Sequence, residues 1–119
     1  MQNPRKQVKQ DLFEDESRRI VVDGDICFCE GQKFKPHNCK GGIEMNEVLY
    51  TRSHIRHLTE SEKTYFWHEI NCSLMCTWSH IKFGHSSKFR EWWVARVGNL
   101  YGARIVLEWI ENAPVRIKR

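Results

Sequence analysis

Between Tyr50 and His85 the chain gathers most of its chemically active side chains. The stretch YTRSHIRHLTESEKTYFWHEINCSLMCTWSHIKFGH holds five of the six histidines (His54, His57, His68, His80, His85) and two of the five cysteines (Cys72, Cys76). So many imidazoles and thiols in one polar segment read as a metal site, the working part of the protein, which the remaining residues must support. With 40% hydrophobic and 12% aromatic residues in 119, the chain can build one modest core and therefore one domain.

Charge and termini narrow the function classes further. Lys plus Arg total 19 against 15 for Asp plus Glu, a net +4, which favours an anionic partner without requiring one. The N-terminal MQNPRKQVKQDLFEDESRR lacks an apolar core of signal-peptide length, and no later run approaches membrane-spanning length, so a cytoplasmic protein with no membrane partner is expected. In a reducing compartment, five cysteines read as thiols or metal ligands, and an odd number does not close a disulfide framework.

In chain order, residues 1–10 are basic and polar and are expected to form a flexible tail. Over Asp11 to Val22 two readings stand: a short helix running into Asp23-Gly24, or strands Arg19 to Val22 and Ile26 to Cys29 paired across an Asp-Gly turn. Cys27-Phe28-Cys29 is a C-x-C pair, closer than the C-x-x-C of a zinc knuckle; His37, Cys39 and Cys76 could complete a four-ligand set. The competing reading is a group of inert buried thiols. EVLYT (Glu47 to Thr51) reads as a strand that delivers His54 near its end, and Thr59 with Glu62 forms a capping-box pattern. Asn71 to Cys76 reads as a strand or turn feeding a helix that carries His80 and His85. Ser86-Ser87 should cap a helix over Lys88 to Val97, with Phe89, Trp92, Trp93 and Val97 on its core face and Gly98 at its end. A second helix should start at Asn99 or Gly102 and stop before Pro114, followed by a basic tail (Arg116, Lys118, Arg119) over 114–119.

The order Ser53-His54, Asn71, Cys76, His80 and His85 resembles the HNH endonucleases of the ββα-metal superfamily. The spacing from Asn71 is similar to the family's N-x4-C-x2-C-[HN] signature, with Ser79 where the second cysteine would stand. The aromatic, arginine-rich FREWWVARVG followed by another helix is reminiscent of phage recombination nucleases of the NinG type, which act on branched DNA. The resemblance runs from about Leu12 to Gly98 and favours the helix over Leu12 to Val22. It implies an α+β fold, a small ββα-metal core with flanking helices and a degenerate zinc knuckle, within a nuclease domain over 11–113.

On that resemblance the expected activity is metal-dependent hydrolysis of DNA, double-stranded or branched. His54 is the expected general base, Asn71 the group that holds the loop or the His54 imidazole, and His80 and His85 the ligands of one catalytic divalent cation (Mg²⁺, Mn²⁺, Ni²⁺ or Zn²⁺). Cys27, Cys29, Cys39 and Cys76 are the expected structural-zinc ligands, and Arg52, Arg56, Lys88 and Arg90 the DNA contacts. Hydrolysing a phosphodiester suits these residue types independently: an imidazole of ordinary pKa deprotonates water near neutrality, and a cation neutralises the leaving 3′ oxygen. Positions 80 and 85 lie about 140° apart on an ideal helix, so sharing one ion requires a break at Gly84. His57 and His68 are not assigned a role in the site. A zinc-stabilised DNA-binding module and a metal-binding interaction protein remain as alternatives, and a homodimer stays open.

Overall fold

Two five-residue strands organise the molecule. β3 (Ile43–Glu47) and β4 (Cys72–Cys76) pair antiparallel, Ile43 opposite Cys76 and Glu47 opposite Cys72. All five residues of β4 are buried, as expected for a strand covered on both faces. Cys72 and Leu74 join Met45 and the helix residues Val8 and Leu12 on one face, whereas Met75 faces the larger core on the other. The computed structural model describes residues 3–115 as a mixed helical and β structure. The basic residues Arg116, Lys118 and Arg119 lie outside that range.

The first face is covered by α1 (Pro4–Glu14), where the sequence suggested a tail over 1–10. Asn3 caps the helix by accepting from the Arg5 N–H at 2.9 Å, Pro4 occupies the first turn, and Val8 and Leu12, four apart, are its buried residues. Those three local features outweigh the polar composition of the segment. The helix expected over Leu12 to Val22 is also corrected. After a 3-10 turn at Glu16–Arg18, β1 (Ile20–Val22) pairs with β2 (Asp25–Cys27) across Asp23 and Gly24, whose φ angles are 51° and 85°. Two successive positive φ angles are what a two-residue hairpin turn demands, so the hairpin is the alternative that forms.

A short α2 (Gly31–Phe34) leads by a loop into β3, and α3 (Arg52–Ile55) and α4 (Glu60–Lys63) fill the connection to β4. The Thr59–Glu62 capping box is present on α4. β4 then runs straight into α5 (Thr77–Lys82). The long α6 (Ser87–Tyr101) is capped by Ser86 and buries Phe89, Trp93 and Val97, so the aromatic stripe is core. It continues past Gly98 and ends at Gly102, whose φ of 101° breaks it before α7 (Ala103–Glu111). No described helix is long and apolar enough to cross a membrane.

A buried charge cluster ties these layers together. Arg18 places Nε and Nη2 on the Glu30 carboxylate, the latter at 2.6 Å, and donates to the carbonyls of Cys72 and Glu69 and to the Tyr101 hydroxyl. Arg96 of α6 donates to the other Glu30 oxygen at 2.9 Å, and Arg18 lies over the Trp93 ring. Each charge has a partner, the condition under which burying it is tolerable.

Candidate functional site

The first constellation is a cysteine–histidine centre at the end of the β3–β4 pair. Cys29 follows β2, His37 and Cys39 lie on the loop after α2, and Cys76 ends β4 and caps α5 by accepting from the Ser79 N–H. The ligand atoms of Cys29, His37, Cys39 and Cys76 all lie within 4.8 Å of one another. His37 Nε2 is 3.7 Å from Cys29 Sγ, 3.4 Å from Cys76 Sγ and 3.9 Å from Cys39 Sγ. A tetrahedral ion at about 2.0–2.3 Å from nitrogen and sulfur would separate its ligands by roughly 3.5–3.8 Å, so these four are close enough to hold one.

The surroundings of the centre also suit a metal ion. His37 Nδ1 lies 2.7 Å from the Lys35 carbonyl, which fixes its proton there and leaves the Nε2 lone pair facing the thiols. Gln32 clamps the same residue, accepting from the His37 N–H and donating to its carbonyl, and also donates to Cys39 Sγ at 3.2 Å. Burial opposes ionisation of Cys76, yet hydrogen bonds with the Ser79 hydroxyl and backbone, the Lys40 backbone and His37 outweigh it and hold the thiol at about 6. Cys29 and Cys39 are pushed upward, chiefly by burial, in the absence of a cation. Cys27, expected as a ligand, stands outside the four with its Sγ 3.9 Å from Cys39, and His37 takes its place. The reason is the hairpin: Cys27 is its last paired residue, whereas Cys29 lies two residues further on, where the chain turns to the centre. Cys72 is a core thiol, pushed up to about 12 by burial and by Glu47.

At the opposite end of β4, Asn71 anchors the chain leaving β3. Its Oδ1 accepts from the N–H groups of Leu49 (2.9 Å) and Tyr50 (2.8 Å), and its Nδ2 donates to the carbonyls of Tyr50 and Phe66, both at 3.1 Å. All four bonds are buried, and they explain why EVLYT is not the strand. After Val48 the side chain of Asn71 replaces the ladder, so β3 lies four residues earlier than expected. Of the two roles considered for Asn71, holding the loop is the one present.

The second constellation is an open groove of about 540 Å³ lined by Arg5, Met45, Glu47, Thr51, Arg52, Ser53, His80 and His85. α5 ends at Lys82, and Gly84 follows in a corner where a Cβ would fall 2.6 Å from the His80 carbonyl. Asn46 secures that corner by donating to the Gly84 carbonyl at 2.8 Å. The break brings the His80 and His85 rings to a centroid separation of 5.1 Å. His80 Nδ1 is 2.6 Å from Glu44, a carboxylate–imidazole pair that leaves Nε2 for a ligand. His85 lies below its ordinary pKa through burial and the charges of His80 and Arg90, Glu47 opposing. Unlike the cysteine centre, the groove brings no group of three His, Cys, Asp or Glu ligand atoms together at metal-binding spacing among the described residues.

His54 is not among the residues lining the groove. It is the third residue of α3, and its Nδ1 accepts from the Thr51 N–H at 3.0 Å in a capping box. A neutral ring bonded that way carries its proton on Nε2, so its one basic lone pair is engaged. Burial and Arg90 hold its pKa below the ordinary value. Of the expected DNA contacts, Arg52 lines the groove, Arg56 and Lys88 are exposed, and Arg90 is half-buried, its charge acting on both His54 and His85. Sequence reasoning missed Arg5, Glu44 and Glu47. The alternation of Glu44 and Asn46 against Met45 and Glu47 along β3 could have flagged the two glutamates, whereas no local signal marks Arg5. Comparison with family models, with curated proteins and with solved structures finds no match for this chain.

Proposed function

We propose that the chain is a metal-dependent DNA endonuclease with an HNH-type ββα-metal core, acting on double-stranded or branched DNA, with structural zinc in the Cys29–His37–Cys39–Cys76 centre. One observation carries the reading: the antiparallel β3–β4 pair runs directly into α5, with Asn71 fastening the loop after β3 and His80 and His85 meeting at the groove. A three-sulfur, one-nitrogen donor set suits zinc better than a hard cation.

His80, oriented by Glu44, and His85 are the residues that would hold a divalent cation (Mg²⁺, Mn²⁺, Ni²⁺ or Zn²⁺), which would neutralise charge on the leaving 3′ oxygen. The proton of the attacking water goes to an imidazole. His54 can accept it only by releasing the Thr51 N–H, and His85, in the groove, can accept it only by giving up the cation to His80 and water, since a neutral imidazole has one lone pair. Substitution of each separates the two roles.

The test is incubation of the purified protein with plasmid, flap and four-way DNA in the presence of Mg²⁺, Mn²⁺ or Ni²⁺. Cleavage by the wild type that is lost in His80→Ala supports the enzyme. Failure to cut any DNA form with any ion leaves the second reading, a zinc-stabilised DNA-binding module, which the cysteine centre supports by itself.

A further inference from the structure

One feature of the groove is not needed for holding a cation: a buried carboxylate shared by two arginines from distant parts of the chain. Glu47 is almost wholly buried at the end of β3. Its Oε1 accepts from Arg5 Nε of α1 at 3.0 Å and lies 3.9 Å from Arg52 Nε of α3. Both guanidiniums thus approach the same oxygen through Nε, and neither has a hydrogen-bond partner on Nη1 or Nη2 among the described residues. Arg5 is further held over the Trp67 ring at 5.8 Å, while the Arg52 side chain is 70% exposed.

We infer that Arg5 and Arg52 form a two-guanidinium clamp for a DNA phosphate, set in place by Glu47 in the groove that His80 and His85 also line. A guanidinium that spends Nε on a carboxylate still presents its outer edge of two parallel N–H groups, the fork that matches two phosphate oxygens. Two such forks beside one carboxylate leave the groove lining a positive charge in excess when the histidines are neutral. Glu47 is a positioning residue: without it, two cations with no fixed separation would repel each other. The clamp gives α1 a role in recognition, since Arg5 enters the groove only because Val8 and Leu12 seat that helix on β4. The inference rests on the nuclease reading for the identity of the anion.

The experiment is fluorescence anisotropy of a labelled 20-base-pair duplex, with no divalent cation added, at several KCl concentrations. Arg5→Ala and Arg52→Ala are each expected to weaken binding about tenfold and to reduce the salt slope by about one. Arg5→Lys and Arg52→Lys should keep the slope and lose affinity, because a lysine retains the charge but not the fork. The lysine variants also preserve the helices should an alanine variant fail to fold. Arg104→Ala, at an exposed site on α7, is the charge-matched control and should bind like the wild type. Equal binding by wild type and both alanine variants overturns the clamp, as does equal weakening in Arg104→Ala. If DNA is cut normally while Arg5 and Arg52 prove dispensable, the clamp fails and the nuclease stands. If binding depends on the pair but no ion supports cleavage, the nuclease fails and the clamp stands.

Discussion

The cysteine centre and the groove hold donor groups in opposite ways. At the cysteine centre four ligand atoms already converge, and each is supported by further hydrogen bonds: Gln32 on His37 and Cys39, the Cys76 N–H on Cys29 Sγ, and the Ser79 N–H on Cys76 Sγ. At the groove the imidazoles of His80 and His85 face each other, while the nearest buried carboxylate is occupied by arginines. A site that maintains structure closes its coordination with protein atoms; one that works on a substrate must leave positions open and accept a looser resting geometry. On the proposed reading, the difference separates a part that holds the fold from a part that acts.

The sharpest way to break this contrast is to strip each site of its ligands. Removing metal with a chelator, or replacing Cys76 by Ser, should abolish cooperative folding as followed by circular dichroism, because structural zinc supplies on the order of 10 kcal/mol in small domains. Cys27→Ser should keep one metal per chain, and loss of the ion in that variant would restore Cys27 as a ligand. At the groove, His80→Ala and His85→Ala should lower the cleavage rate by at least ~10²-fold while leaving the melting temperature near that of the wild type. His54→Ala should cost less than about tenfold in rate and about 1 kcal/mol in stability, the scale of a lost helix cap. A rate loss in His54→Ala as large as that in His85→Ala would return the base to His54.

Asn71 ligates nothing at either site but fastens the chain leaving β3. Asn71→Ala strands the buried Leu49 and Tyr50 N–H groups and should destabilise the fold by about 2–4 kcal/mol in urea titration. The smallest effect concerns pH. Burial first, and then Arg90, hold His54 below its ordinary value, and Arg90 acts on His85 in the same direction. A histidine depressed in the fold is protonated earlier in the unfolded chain. On acidification from about 6.5 the unfolded state therefore binds more protons, and stability falls. The acid limb of the cleavage rate should lie below pH 6.5 and move upward in Arg90→Ala, since removing a cation lets the imidazoles protonate more easily. A limb that stays in place detaches Arg90 from the base.

What the sequence made readable was local. The Thr59–Glu62 box, the Ser86 cap, the apolar stripe of α6 and the strand-to-helix passage from Cys72 to Lys82 depend on residues within a few positions of one another. The bend that lets His85 face His80 follows from Gly84 in the same way. What stayed hidden depends on distant partners. The end of β3 is set by Asn71, more than twenty residues later; the choice of His37 over Cys27 is set by where a hairpin releases the chain; and Arg5 is given meaning by Glu47. Gly98 misled because core packing on both sides carries α6 past it to Tyr101.

The charge cluster of Arg18, Glu30 and Arg96 bears on how fast a bound ion could leave. Glu30 adjoins Cys29 in the chain, so drawing that cysteine away from an ion also drags a carboxylate out of the grip of two arginines, one from the hairpin side and one from α6. Such a release is a subglobal opening rather than the stretching of one bond. Exchange of the ion should accordingly proceed at the pace of that opening and stay nearly independent of chelator concentration once capture is fast, a kinetic lock made of residues that never touch the ion.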